Sequence, residues 1–177
     1  MKWLNHTLIA GSLCAVVAPT LVAPCVLGAT APDWLEWVFK AIGKPIKHRT
    51  TTHILTHWLT FALFATFVFD VHGILAAFAW GGVSHILTDA MTVSGVPFSP
   101  YSDRRFHLFG GRFRTGDPVE YAISAGVVVC CIVLGSRPSS ERAGTLSLSS
   151  LIGRRVMMWG SRTPKNGKTT GEGFFNK

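Results

Sequence analysis

GILAAFAWGGVSHILTDAM, residues 73–91, decides the fold: an apolar run that ends in a histidine and an aspartate four residues apart. About 20 apolar residues span a hydrocarbon core of about 30 Å. A backbone inside a bilayer must satisfy its own hydrogen bonds, so such a run reads as a helix and not as a lone strand. His85 and Asp89 share one face near the helix end, because residues at i and i+4 are neighbours on a helix surface. Ionisable groups at the edge of an apolar helix are costly and usually face a protein interior where they act.

Working outward, three further apolar stretches stand at residues 7–30, 54–71 and 119–134. The last two, like 73–91, are short for a crossing, which favours tilt or partial submersion. Pro19 and Pro24 interrupt the first, so it is expected to fold as two short helices, residues 4–17 and 21–29, in a re-entrant hairpin. A straight crossing would separate His6 from Asp33; the hairpin brings them together. The turn DVHG at 70–73 makes residues 54–71 and 73–91 an antiparallel helical pair. Between Thr92 and Pro118 the Gly, Pro, Ser, Arg and Phe content reads as an ordered polar loop.

Composition agrees with a membrane class: 177 residues, 48% hydrophobic, 15% charged, with a mean hydropathy of +0.34. The net charge of +8 is uneven. From Arg137 onward eight Lys or Arg stand against Glu141 and Glu172, a net of six. The expected fold class is therefore all-α, an integral, multi-pass helical bundle over residues 1–135. A basic, partly amphipathic tail, residues 136–177, is expected to be largely disordered, its 148–159 segment lying in the headgroup plane. The bilayer is the expected partner, and nucleic acid is not. Cys14, Cys25, Cys130 and Cys131 lack metal-binding spacing and read as small apolar residues. Pro24 spoils a signal-peptide cleavage site, so the first stretch is read as retained.

The chemistry lies in four places. HRTTTH at 48–53 carries His48, just before the second helix, and His53, in its first turn; the helical pair brings both to the surface that holds His85 and Asp89. Asp33, at the end of the first stretch, reaches the same surface. Imidazoles and carboxylates in this pattern suit a divalent metal, most simply zinc. The alternative is that the histidines and acids only lock helices together by hydrogen bonds. His57 is an equal candidate for ligand or helix neighbour, His72 belongs to the distal turn, and spacing does not place His107. Arg49 and Arg105 suit an anionic lipid headgroup or a phosphoester. Gly81-Gly82 and Gly110-Gly111 are not phosphate loops, having no preceding strand and no Lys at the required spacing.

Taken in order, APD at 31–33, HRTTTH at 48–53, GGVSHILTDAMTVSGVPFSP at 81–100 and DRRFHL at 103–108 resemble the motif series of the LexA-regulated metal-dependent hydrolases of the bacterial inner membrane. The resemblance covers about the first 125 residues. It implies a metal site built from His6, Asp33, His48, His53, His85 and Asp89, with Arg49, Thr52 and Ser84 in the same motifs. Leu35 stands where the family usually has a second acid, with Glu36 following, and Ile54 stands where a Ser is common. Hydrolysis of an ester or phosphoester, lipid-linked substrates included, is the implied reaction, with Asp33 or Glu36 as general base. Two rivals share these residues: a non-catalytic membrane protein with a structural His/Asp cluster, and a metal-ion carrier.

Overall fold

The computed structural model of the chain describes residues 1–44, 46, 49–69, 73–101 and 104–136. His48, the turn residues Asp70, Val71 and His72, Asp103 and the basic tail from Arg137 lie outside the described residues. The expectations attached to them stand as made. Met1–Ser136 forms one compact unit.

That unit is mostly helical. Helix α1 (Trp3–Val17) is stopped by Pro19, which opens a 3₁₀ turn, Pro19–Leu21, and the chain reverses into α2 (Val22–Ala41). The break falls where the prolines placed it. Pro24, however, sits in the first turn of α2, where a missing N–H costs nothing. The second helix is thus longer than the expected 21–29, continuing through Pro32 and carrying Asp33 in its body. The two helices run antiparallel, with Ala10 beside Cys25 and Trp3 against Trp37.

A 3₁₀ turn, Thr51–His53, precedes α3 (Leu55–Phe64), which ends in a π turn, Ala65–Phe69. His53 therefore lies ahead of the helix and not in its first turn as expected, because Ile54 is extended and restarts the hydrogen-bond ladder. Gly73, at φ 76°, opens α4 (Ile74–Ala90). The polar loop that follows is organised by a short antiparallel pair, β1 (Val96–Pro97) with β2 (Arg105–Phe106), before α5 (Pro118–Gly135).

Glycines set how closely α2 and α4 approach. A Cβ on Gly28 would stand 1.9 Å from the carbonyl oxygen of Phe78, and one on Gly81 would stand 2.0 Å from that of Cys25. Only hydrogen fits at either crossing point. Gly82 makes a third notch, filled by the Trp58 ring of α3. Around these contacts lies the core of Leu55, Trp58, Val83 and Ile86, with Ala31, Ala62 and Ala79.

Apolar side chains also cover much of the outside. Val17, Phe67, Val68, Ile132 and Val133 are each more than half exposed. Among the described residues α5 alone is long and apolar enough to cross a membrane by itself; α1, Leu55–Val68 and α4 are shorter.

Candidate metal centre

Four elements deliver polar side chains to one buried cluster: His6 from α1, Asp33 and Glu36 from α2, Arg49 and His53 from the segment before α3, and His85 and Asp89 from α4. The glycine crossing of α2 and α4 places Asp33 Oδ1 3.8 Å from His85 Nε2. The α1–α2 reversal brings His6 in, with Nε2 3.5 Å from Asp89 Oδ1 and its ring stacked on His85 at 3.7 Å. His53 Nε2 lies 3.3 Å from Asp33 Oδ1 and 3.9 Å from Asp89 Oδ2. His85 Nε2 is 3.7 Å from the same Asp89 oxygen. Every one of these residues is buried except Asp33 and Glu36, which are half-buried.

The opposite ring nitrogens are all anchored. His85 Nδ1 lies 2.6 Å from the carbonyl oxygen of Ala29, so it carries the proton and donates it. His6 Nδ1 meets Thr88 Oγ1 at 2.8 Å. The Thr88 hydroxyl faces the Ser84 and His85 carbonyls at 3.0 and 2.9 Å, where its proton goes, so it accepts from His6. His53 Nδ1 is 3.2 Å from Glu36 Oε1 and 3.0 Å from Thr52 Oγ1, whose own hydroxyl donates to Glu36 at 3.1 Å. His6 and His85 are therefore held with Nε2 unprotonated and aimed at the aspartates, while His53 is anchored through Nδ1 and turns Nε2 to Asp33. This is the arrangement in which a metal-ligating histidine is fixed by a partner on its other nitrogen.

The donor set fits a divalent cation. Nε2 of His6 and of His85 are buried without a hydrogen-bond partner, a costly state for two lone pairs beside carboxylates unless a cation gathers them. Ligand atoms of His6, His85 and Asp89, and those of Asp33, His53 and His85, lie within 4.8 Å of one another in each group. His85 belongs to both groups but has one available nitrogen, since Ala29 takes the other.

Further out, Arg49 Nη2 reaches Asp89 Oδ1 at 3.0 Å and Nη1 reaches Thr92 Oγ1 at 3.1 Å, while its backbone N–H donates to Glu36 Oε1 at 3.1 Å. The α-amino group of Met1 also contacts Asp89 Oδ1. Trp58 Nε1 donates to the Thr52 carbonyl at 2.7 Å, so the side chain seated in the Gly82 notch also holds the turn that carries His53. A cavity of about 270 Å³ opens on the cluster, lined by Asp33, Glu36, Arg49 and Asp89 together with Met1, Trp3 and Trp37.

Other expected residues lie elsewhere. Arg105 donates to the Ser94 carbonyl at 3.1 Å and pins the loop, and His107 Nε2 meets the Val93 carbonyl at 3.2 Å. His57 is exposed on the side of a separate apolar groove with Trp34 and Phe61. Sequence reasoning missed Thr88, Asn5 and Glu120. Glu120 is fully buried, accepts from Asn5 Nδ2 at 2.5 Å, from Gly116 N at 2.6 Å and from the Lys2 amide, and so fastens the start of α1 to α5. A lone acid in the first turn of an apolar helix was the signal available.

Comparison with curated proteins and with solved structures gave no match. The family described as YdjM inner membrane protein matches residues 1–160, well beyond the 125 or so residues over which the motifs were legible. With nine-tenths of its length matched, the chain belongs to the YdjM inner membrane protein family.

Proposed function

We propose that this chain is a multi-pass membrane hydrolase whose His6, His53, His85 and Asp89, with Asp33, hold one divalent metal, most simply zinc. The observation that carries the reading is the convergence of three imidazoles, each anchored through Nδ1, on two aspartates. His85 has one nitrogen to offer, which favours a single ion over two. His48 lies outside the described residues and is kept as a further ligand on the strength of its motif.

When bound, such an ion acidifies a water molecule and polarises an ester or phosphoester. The residues divide the remaining work. Asp89 is buried and clamped by Arg49, which suits a ligand. Asp33 is the more accessible acid and faces the cavity, which suits proton uptake from the attacking water. Glu36, the other candidate base, has Oε1 on the Nδ1 side of His53, which favours orienting that ring over meeting substrate.

The test is metal content of the detergent-purified protein together with turnover of an ester or phosphoester. His85→Ala is expected to lose most bound metal. Asp33→Asn is expected to keep most of it and lose turnover, since a base can be removed without dismantling the imidazoles. Full metal retention in His85→Ala, or no metal in the parent under replete conditions, would leave a structural cluster and end the hydrolase reading.

A further inference from the structure

Arg49 carries two anomalies that holding Asp89 does not explain. Its backbone lies at φ 56°, in the left-handed region, which costs a non-glycine residue on the order of 1–3 kcal/mol and is most often retained at functional sites. Its side chain is about nine-tenths buried, yet Nε has no hydrogen-bond partner. With Nη1 on Thr92 and Nη2 on Asp89 and Thr115, the guanidinium plane is fixed, and the buried Nε N–H is left without a partner. Arg49 lines the same cavity as Asp33 and Asp89, and its strained backbone is held by Glu36.

We propose that Arg49 is an anion-binding residue and that the substrate is a phosphoester. The inference rests on the metal reading above. A cation held by Asp89 would stand next to a guanidinium bonded to the same carboxylate, so a ligand that satisfied both would present two oxygens side by side. A carboxylic ester has a single carbonyl oxygen, which the cation would take, leaving nothing anionic for Nε. A phosphoester has a second non-bridging oxygen, and Arg is suited to such an acceptor. The cavity, about 270 Å³, has room for the group. Asp33, Glu36 and Asp89 also line it and outnumber Arg49 and the Met1 amino group, so anion entry is expected to depend on the cation.

Calorimetric titration of inorganic phosphate into metal-loaded and metal-stripped protein tests this. Binding is expected in the loaded form and none in the stripped form. Metal-loaded Arg49→Lys is expected to bind about tenfold or more weakly, because Lys keeps the charge and loses the planar fork. Arg49→Gly guards against a folding failure, since glycine adopts φ 56° without strain. It should keep metal, lose phosphate, and regain it with added guanidinium. Phosphate binding at parental strength in metal-loaded Arg49→Lys or Arg49→Gly overturns the proposal, as does the absence of binding by the loaded parent. A parent that holds no metal removes the hydrolase reading and this one with it. Dihexanoyl phosphatidic acid, titrated in parallel, separates the sources. Tighter binding than inorganic phosphate assigns the site to a lipid headgroup, equal binding assigns it to a soluble phosphoester, and either supports the phosphoester class.

Discussion

At the level of single residues, the cluster depends on which ring nitrogen keeps its proton. Thr88 decides this for His6: its hydroxyl is directed to carbonyls of its own helix, leaving oxygen lone pairs to accept from Nδ1. Thr88→Val is nearly isosteric and removes the acceptor, so His6 can rotate or exchange tautomer. Loss of such a supporting contact typically costs about 10–100-fold in metal affinity. Thr88→Ser keeps the hydroxyl and is expected to bind nearly as the parent does. Competition with a chromophoric chelator measures both, and equal affinity for Val and Ser would show that His6 contributes no ligand. Little of this was legible in the sequence. The spacing of His85 and Asp89 was, because i, i+4 on a helix is a local geometry. The partner of His6 was not, since Thr88 lies 82 residues away and meets it only after three helices have packed.

Among the helices, the site is aimed by the α2–α4 crossing. Residues 28 and 81 touch opposing backbone, and His85 and Asp89 follow Gly81 by about one and two turns. A methyl group at Gly81 would meet the Cys25 carbonyl at 2.0 Å, a backbone contact that cannot rotate away. Gly81→Ala is expected to cost about 3 kcal/mol or more, the upper end of overpacking. Gly126→Ala on α5, with open space beside it, is expected to cost little or to stabilise. Thermal unfolding in detergent separates them, and equal midpoints would show that the crossing is looser than described. Apolar runs read these helices well where Pro or Gly marks an end, as Pro19 does after α1, Gly73 before α4 and Pro118 at the start of α5. They under-read α2, whose second half carries Asp33, Glu36 and Lys40 and no longer looks apolar although it continues the same helix. The crossing glycines were visible as residues but not as contacts, which depend on helix angle.

For the whole molecule, the question is how deep the site sits. The family is one of inner membrane proteins, and exposed apolar side chains on α1, α3 and α5 call for hydrocarbon around them. Carbonate washing should accordingly leave the protein in the membrane fraction. Helix α1, with 15 residues at 1.5 Å each, is about 22 Å long, shorter than a hydrocarbon core of about 30 Å. The apolar part of α2 ends at Pro32, about 16 Å from its start by the same rise. On the expected re-entrant hairpin, both lengths would bring the Pro19–Leu21 turn to rest inside the bilayer, with the His/Asp cluster near the surface from which the two helices enter. In a background with all four cysteines replaced by serine, single cysteines at Lys2, Thr20 and Lys44 test this, each being exposed in the fold. Positions 2 and 44 are expected to react with an impermeant maleimide from the same side of sealed vesicles. Position 20 should be protected from both sides until detergent is added. Reaction of position 20 from the opposite side would make α1 and α2 full crossings, and reaction of 2 and 44 from different sides would break the hairpin that brings His6 to Asp89.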